Sequence, residues 1–293
     1  MKIVFIGSVK FSERCLKKII EIDVKPAGVC TLEESLINTD HADLTQLCNE
    51  NNIPVKYTHD INSKISINWI RSHNPDVIFC FGWSRLLKPE LLKIAPHGVV
   101  GYHPTELPEN RGRHPLIWSL VLGFAETAST FFFMDEGADS GDILSQKRIE
   151  ILENDDAGDL YRKMTETALG QLEEFVPALV SGRYERTPQD HSKANTWRKR
   201  GKKDGVIDWR MTARSINNLV RGLTKPYIGA HFELDDKIIK VWKTKIIRNQ
   251  KKNIEPGKVL VGGTGEIIIK TGEDSILLKE TEPIISLKRG TYL

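Results

Sequence analysis

Short, unbroken apolar segments alternate with amphipathic segments through the first 150 residues. The apolar segments lie at residues 2–6, 29–30, 54–57, 76–81, 99–103 and 129–134. Between them apolar residues recur every three or four positions, as at Phe11, Cys15 and Ile19. Strands that are apolar on both faces are typical of parallel sheets covered by helices on both sides. We therefore predict an α/β fold with a Rossmann-like, doubly wound, mostly parallel sheet and an antiparallel edge strand at 143–149.

The pattern changes after residue 229. Five short segments with strand character follow, at residues 230–234, 238–242, 257–260, 266–270 and 275–280, separated by Asp-Asp, Pro-Gly, Gly-Gly and Glu-Asp turns. Short strands at this spacing predict a small β-barrel, similar to an OB fold. We expect a larger domain at 1–190, a basic linker at 191–206, and a C-terminal helix with the barrel at 207–293.

Composition excludes several classes of protein. The 293 residues are 40% hydrophobic and 28% charged, which is typical of a globular protein and not of a disordered or fibrous one. No apolar run approaches the ~20 residues that a spanning helix needs, and the chain begins in a strand-like run without signal-peptide features. We expect a cytoplasmic protein without membrane contact. The four cysteines form no Cys-x-x-Cys pair, so we expect buried, reduced thiols and no metal.

Charge is unevenly distributed. Residues 1–190 hold 20 Lys and Arg against 28 Asp and Glu, whereas residues 191–293 hold 22 against 11. The basic run Arg-Lys-Arg-Gly-Lys-Lys occupies residues 198–203. Such an excess can mark a site for phosphate groups or RNA, or only a solvated face, and these alternatives stay open at this point.

Two segments are dense in groups that can carry chemistry, and both follow predicted strands. Residues 102–115 include His103, which is followed by prolines at 104 and 108 and by arginines at 111 and 113. Residues 134–142 include four acids and two glycines. Open α/β sheets bind ligands at the carboxyl ends of their strands. His103 could transfer protons there, and Asp139 could hold its ring in the charged form or in one tautomer. The alternatives are a polar loop with a hydrogen-bonded histidine, or a calcium loop, whose EF-hand spacing is missing.

The first turn gives only a weak indication of nucleotide binding. Gly7-Ser8 ends the first predicted strand, but the Gly-x-Gly-x-x-Gly fingerprint is absent. The close-approach glycine of a pyrophosphate cradle is therefore missing, which argues against an NAD enzyme.

Together the two dense segments resemble the 10-formyltetrahydrofolate-dependent formyltransferases. The pattern His-x-x-x-Leu-Pro-x-x-Arg-Gly-x-x-Pro begins at His103, and Asp139 opens an Asp-x-Gly-Asp loop. Residues 204–209, 216–222 and 226–229 extend the resemblance over nearly the whole chain. The chain is similar to methionyl-tRNA formyltransferases and, through Arg-Gly-Arg at 111–113, more closely to sugar-nucleotide N-formyltransferases.

This resemblance implies formyl transfer from 10-formyltetrahydrofolate to a primary amine, with catalysis in the 1–190 domain and without a metal. His103 would be the general acid and base, and Asp139 the carboxylate that favours its protonated form. The residues implied to border the folate are Arg85, Leu86, Leu87, Thr105, Leu107, Arg113, Asp135, Glu136, Gly137, Ala138 and Asp142. The residues implied to contact the acceptor are Tyr102, Asn110, Arg111 and His114.

One position departs from the family. The family has an Asn two residues before the histidine, where it stabilises the oxyanion of the tetrahedral intermediate, and this chain has Gly101. Losing such a donor costs about 10²–10³ in rate unless another group replaces it. Tyr102, Asn110, His114 or a backbone N–H are the candidates.

Three hypotheses about the function remain. In the first, the enzyme formylates a UDP- or dTDP-linked 4-amino-4,6-dideoxyhexose. In the second, it formylates methionyl-tRNA. In the third, the chain is not an enzyme but a non-catalytic nucleic-acid-binding or regulatory homologue. The tRNA enzymes carry a basic insertion after the second strand, whereas residues 32–43 are acidic here. We therefore favour the sugar nucleotide over tRNA, with polysaccharide biosynthesis as the implied pathway, and leave a homodimer open.

Overall fold

The computed structural model describes residues 1–34 and 40–293. The chain folds into two compact units. The first contains Met1–Gly112, Thr127–Ile149 and Arg162–Trp197, and the second contains Arg113–Glu126, Glu150–Tyr161 and Arg198–Leu293. The segments of the two units alternate along the chain. The division into consecutive domains at 1–190 and 207–293 stays a prediction.

Strands and helices follow the order that the sequence predicts. The first part of the chain contains β1 (Ile3–Ile6), α1 (Lys10–Glu21), β2 (Gly28–Thr31), α2 (Thr45–Glu50), β3 (Val55–Tyr57), α3 (Lys64–Ser72), β4 (Val77–Cys80), α4 (Pro89–Leu92), β5 (Val99–His103), β6 (Arg111–Gly112), α5 (Pro115–Val121), β7 (Glu126–Phe133), β8 (Ile143–Glu150) and α6 (Ala157–Val180). The rest contains β9 (Thr196–Trp197), α7 (Ala213–Leu223), β10 (Ala230–Leu234), β11 (Lys237–Ile247), β12 (Val259–Val261), β13 (Gly263–Thr264), β14 (Ile267–Lys270), β15 (Ser275–Glu282) and β16 (Ser286–Leu287), with 3₁₀ turns at His191–Lys193 and Lys202–Gly205.

A seven-stranded sheet forms the centre of the first unit, in the order β3-β2-β1-β4-β5-β7-β8. Strand β1 pairs in parallel with β2 and β4, β2 with β3, and β4 with β5, whereas β7 runs antiparallel to β5. The direction of winding reverses at β1, and ligands of doubly wound sheets bind beyond the carboxyl ends of the strands at such a point. The predicted mostly parallel, doubly wound sheet is confirmed.

Alternate residues of the central strands pack on opposite faces of this sheet. One face is aromatic, with ring centroids 4.8–6.3 Å apart among Phe5, Phe79, Phe81, Phe131 and Phe175. The other is aliphatic and packs Val4, Ile6, Ile78, Cys80 and Val99 against Ile70 and Leu91. Each fully buried apolar side chain contributes about 1.5–3 kcal/mol. Because side chains alternate along a strand, Gly101 and His103 lie on the aliphatic face, and Tyr102 lies on the aromatic one.

The second unit is built on a curled antiparallel half-barrel in the order β10-β11-β15-β14-β12. The pairing of β11 with β15 shifts register between Val241 and Thr244, which increases the local bend. Helix α7 packs on this sheet, and its N-cap Thr212 accepts a hydrogen bond from the Ser215 N–H at 3.0 Å. The five predicted strands of the small barrel are confirmed.

The remaining expectations for the fold concern thiols, membranes and the acidic segment. All four cysteines are free and buried. No helix within the described ranges is long and apolar enough to cross a bilayer. Of the acidic segment 32–43, residues 35–39 lie outside the described residues, and Glu33 and Glu34 are exposed.

Candidate active site

His103 is the last residue of β5, at the carboxyl end of the strand, and only 5% of it is exposed. Its Nε2 lies 2.9 Å from the carbonyl oxygen of Asn110, which can only accept, so Nε2 carries a proton in this contact. Its Nδ1 lies 3.6 Å from Oδ2 of Asp139. The ring therefore presents Nδ1 to a carboxylate, an arrangement that can take up and return a proton.

The segment that follows His103 is fixed to the sheet. The Thr130 hydroxyl donates to the Thr105 carbonyl at 2.6 Å, and the Gln146 amide donates to the Leu107 carbonyl at 2.9 Å. The side chains of Thr105 and Leu107 are buried. The segment ends at Asn110, in the left-handed region at φ 63°, whose N–H donates to the Asn195 side chain. Two residues predicted to border the folate thus have buried side chains, and their carbonyls fix the loop to the sheet.

Asp139 lies in a tight loop that folds back on itself. One oxygen of Asp135 accepts from the Gly137 N–H at 2.9 Å and from the Ser140 hydroxyl at 2.7 Å. A side chain at Gly141 would meet the Phe133 carbonyl oxygen at 1.8 Å, so only glycine fits there. The Asp139 carboxylate accepts from the Gly112 N–H at 2.9 Å, through the same oxygen that faces His103. The structure thus brings the two predicted catalytic residues together.

The rest of the Asp139 loop is more open. Residues Asp135 to Ala138 are exposed, and Asp142 is half-buried. Glu136 makes an ion pair with Lys93 at 3.4 Å, which contributes little because both side chains are solvated.

Sequence reasoning missed Gln189, which is 6% exposed. Its Nε2 donates to the carbonyl oxygens of Asp139 at 3.0 Å and Gly141 at 2.6 Å. Its Oε1 accepts from Arg111, at 3.2 Å from Nε and 2.6 Å from an Nη. Arg111, expected to contact the acceptor, is itself buried in this contact and also reaches Nδ1 of His191 at 3.1 Å. A glutamine in a polar segment gives no pattern that would have revealed this.

The segment after β4 presents two exposed residues and one buried residue. Arg85 is exposed, Leu86 is 70% exposed, and Leu87 packs in the aliphatic core. Asn62 fixes the main chain, because its amide N–H donates to the Leu86 carbonyl and its oxygen accepts from the Lys88 N–H.

Tyr102 points to the opposite face of the sheet from His103. Its ring lies 4.3 Å from that of Phe11 and 4.9 Å from that of Phe131, and the Ser129 hydroxyl donates to its oxygen. Burial raises the pKa of the Tyr102 phenol well above its usual value. This packing is that of a core aromatic residue.

Arg113 and His114 belong to the second unit. His114 takes a left-handed conformation, φ 56°, at the start of α5. Burial, followed by the charges of Arg113 and Arg200, lowers the pKa of His114. The guanidinium of Arg200 lies 4.5 Å from the ring centroid of Trp118 and is 8% exposed, and its burial lowers the pKa of Arg200.

The predicted basic linker is therefore partly folded. The Trp118 indole donates to the Arg198 carbonyl, and Arg198 forms two hydrogen bonds to the Asp204 carboxylate, which hold the pKa of Asp204 well below its usual range. Lys199, Lys202 and Lys203 remain exposed. The run is not a uniformly solvated face.

At Gly101, where the family has its Asn, the neighbouring side chains leave no free volume. A Cβ at Gly101 would lie 2.8 Å from Cγ of Met134 and 3.2 Å from the Phe132 ring. Met134 therefore fills the space that a side chain at position 101 would need. Separately, the described residues contain no group of three or more His, Cys, Asp or Glu placed to hold a metal.

Comparison with known proteins identifies the family. A family model described as formyl transferase matches residues 1–175, and one described as formyl transferase, C-terminal domain, matches residues 199–285. The chain belongs to the formyltransferase family. This formyltransferase is 32% identical over 286 residues to a methionyl-tRNA formyltransferase of Clostridioides difficile (strain 630), a match that covers 96% of this chain and 92% of that protein.

Two solved structures share the fold of this formyltransferase. An N-formyltransferase from Helicobacter canadensis, in complex with folinic acid and dTDP-3-aminofucose, superposes with a TM-score of 0.71 at 18% identity, covering 95% of this chain and 99% of that one. A methionyl-tRNA formyltransferase from Clostridium thermocellum superposes with a TM-score of 0.64 at 17% identity, covering 96% and 100%. The resemblance seen in the sequence is confirmed, and the chain is a folate-dependent N-formyltransferase.

Proposed function

We propose that this enzyme transfers the formyl group of 10-formyltetrahydrofolate to the primary amine of a nucleotide-linked amino sugar, of the UDP- or dTDP-4-amino-4,6-dideoxyhexose type. The observation that carries the chemistry is the His103–Asp139 pair, with Nδ1 and Oδ2 3.6 Å apart at the carboxyl end of β5. A nearly buried imidazole beside a carboxylate can move a proton between two nitrogens, which is what this transfer requires.

The proton transfer follows from these two residues. As the acceptor amine attacks the formyl carbon, a C–N bond forms and the amine nitrogen becomes acidic. His103 accepts that proton, and the Asp139 carboxylate stabilises the resulting imidazolium. His103 then returns the proton to the folate nitrogen, whose bond to the formyl carbon breaks. No net proton is gained or lost in the cycle.

The segments predicted to border the folate offer groups that suit a pterin ring. The exposed Leu86 gives apolar surface for a ring, and the Asp135–Ala138 loop exposes main-chain groups. The buried indole N–H of Trp83, two residues before Arg85, has no hydrogen-bond partner among the described residues. A ring system that is apolar on its faces and polar at its edge fits this combination.

The charge of residues 1–190 supports a small acceptor. Glu33 and Glu34 are exposed where the tRNA enzymes place basic residues, and residues 1–190 carry more acidic than basic groups. Such a surface repels a long polyanion, whereas a nucleotide sugar presents only two phosphates. The Helicobacter canadensis enzyme, which shares the fold, was solved with a dTDP-linked amino sugar.

Methionyl-tRNA is the second candidate acceptor. The Clostridioides difficile relative is 32% identical over almost the full length, and Lys199, Lys202 and Lys203 are exposed. These cations could contact RNA phosphates.

A direct assay separates the two acceptors. The purified enzyme is mixed with 10-formyltetrahydrofolate and with UDP- or dTDP-linked 3-amino and 4-amino deoxysugars or methionyl-tRNA, and products are identified by mass spectrometry. We expect a formylated sugar nucleotide, lost in His103→Gln and retained in His97→Gln, a control in which another histidine of the first unit loses one hydrogen bond, to Tyr184. Transfer to tRNA alone would contradict the sugar proposal.

A further inference from the structure

We propose that Gln189 is a positioning residue, whose side-chain amide holds the Asp139 loop against Arg111 and thereby sets the distance between the Asp139 carboxylate and the His103 ring. The proposal rests on the proposed function, because it assumes that this pair moves the proton. Gln189 lies between the two ranges that match the family models.

The hydrogen bonds of Gln189 allow only one orientation of its amide. Both contacts of Nε2 are carbonyl oxygens, of Asp139 and Gly141, and both contacts of Oε1 are guanidinium nitrogens of Arg111. Exchanging the two amide atoms would place oxygen against carbonyl oxygens and N–H against N–H donors. The side chain therefore joins an acceptor-only surface to a donor-only surface, and it is at least nine-tenths buried while doing so.

Asp139 is connected to residues 111 and 112 at two points. Its main chain is joined to Arg111 through Gln189, and its carboxylate accepts from the N–H of Gly112. The hydrogen bonds of Asp135 close the loop on itself without joining it to β6. The ion pair of Glu136 with Lys93 is exposed and holds the loop weakly.

The spacing of the catalytic pair is sensitive to such a connection. At 3.6 Å, Nδ1 and Oδ2 are just beyond hydrogen-bond distance, so a small movement of the loop either closes the contact or breaks it. A displacement of about 1 Å at a reacting group can cost about 10²-fold in rate. Without Gln189, two partly buried carbonyls would lose a donor and the buried Arg111 guanidinium would lose an acceptor, so the loop would move to reach water.

Gln189→Ala, Gln189→Glu and a matched control test this. Gln189→Glu keeps an acceptor for Arg111 but faces the carbonyls of Asp139 and Gly141 with oxygen. Gln171→Ala is the control, because Gln171 is also buried and its amide donates two hydrogen bonds, to Ser129 and Ser145. We expect kcat to fall about 10- to 100-fold in both Gln189 variants, with a changed pH dependence of kcat, and neither change in Gln171→Ala.

A second readout needs no acceptor. Amide hydrogen exchange at Asp139 to Gly141 and the NMR titration of the His103 ring are measured on each folded variant. We expect exchange at least about tenfold faster and a moved ring midpoint in both Gln189 variants, but not in Gln171→Ala. A His103 titration midpoint unchanged from the native enzyme in both Gln189 variants would overturn the proposal. Equal changes in Gln171→Ala would also overturn it. If the native enzyme formylates no acceptor, the proposed function fails, and the ring titration still decides the role of Gln189.

Discussion

The segment that carries His103 and the segment that carries Asp139 are fixed by different means. His103 ends a central strand, and the residues after it are bonded to the neighbouring strands through Thr130 and Gln146. Asp139 lies in a loop that closes on itself and is joined to β6 at two points, through the buried side chain of Gln189 and through the Asp139 carboxylate. The position of the histidine is thus a property of the sheet, whereas the position of its carboxylate depends on a few side-chain hydrogen bonds.

Because of this difference, we expect substitutions in the two segments to affect different properties of the enzyme. Loss of a contact at the His103 segment disturbs the sheet, so it should lower the free energy of unfolding. Loss of a contact at the Asp139 loop leaves the sheet intact, so it should affect turnover more than stability.

The largest expected effect comes from the histidine itself. In His103→Gln the side chain keeps a hydrogen-bonding group but cannot shuttle a proton, so the rate of formyl transfer should fall about 10²–10⁴-fold. Single-turnover rates with saturating folate donor measure this. An unfolding transition close to that of the native enzyme should accompany it, and a rate loss below about tenfold would show that another group moves the proton.

A change on the sheet side should act mainly on stability. Gln146→Leu removes a donor from the buried Leu107 carbonyl and from the Thr130 hydroxyl, and such losses cost about 1–3 kcal/mol. Urea unfolding should report this decrease, with kcat reduced in the same variant by less than in Gln189→Ala. An unchanged unfolding midpoint would contradict the account of the His103 segment.

A change within the Asp139 loop should lower turnover more than stability. Asp135→Ala removes the hydrogen bonds to Gly137 and Ser140, both in exposed surroundings where water replaces the lost partner, so it should cost less than about 1 kcal/mol. Turnover should nevertheless decrease, because the turn that presents Asp139 loosens. Unfolding and kcat measured side by side test the comparison, which fails if Asp135→Ala is more destabilising than Gln146→Leu.

The smallest effect concerns the second histidine of the motif. His103 faces two acceptors, whereas His114 lies near cations, and burial together with those charges lowers the pKa of His114 below 6.5. As pH falls below about 6.5, the unfolded chain binds a proton that folded His114 does not, so stability is lost. His114→Gln should lose less stability than the native enzyme between pH about 7.5 and about 5.5, as urea unfolding at each pH would show. An equal loss in both proteins would refute this.

The sequence predicted features that local patterns encode. Apolar strands and amphipathic helices predicted the sheet. The position of both dense segments after strands, together with the family resemblance, predicted that His103 and Asp139 meet at one site. Gln189 was missed because its partners are 48 to 78 residues away in the chain and leave no periodicity. Burial of Arg200 against Trp118 was missed because a basic run gives the same pattern whether it is solvated or packed. The contact of Met134 with Gly101 follows from the pairing of β5 with β7, in which Gly101 lies opposite Phe132, and not from either segment alone.

The most direct test of the His103–Asp139 pair is a double-mutant cycle in formyl transfer. Single-turnover rates are measured for the native enzyme, His103→Gln, Asp139→Asn and the double variant with the best acceptor. If Asp139 acts through His103, the double variant is no slower than His103→Gln, because the carboxylate has no ring left to assist. If the two losses multiply in full, the residues act independently, and the account of a coupled pair is wrong.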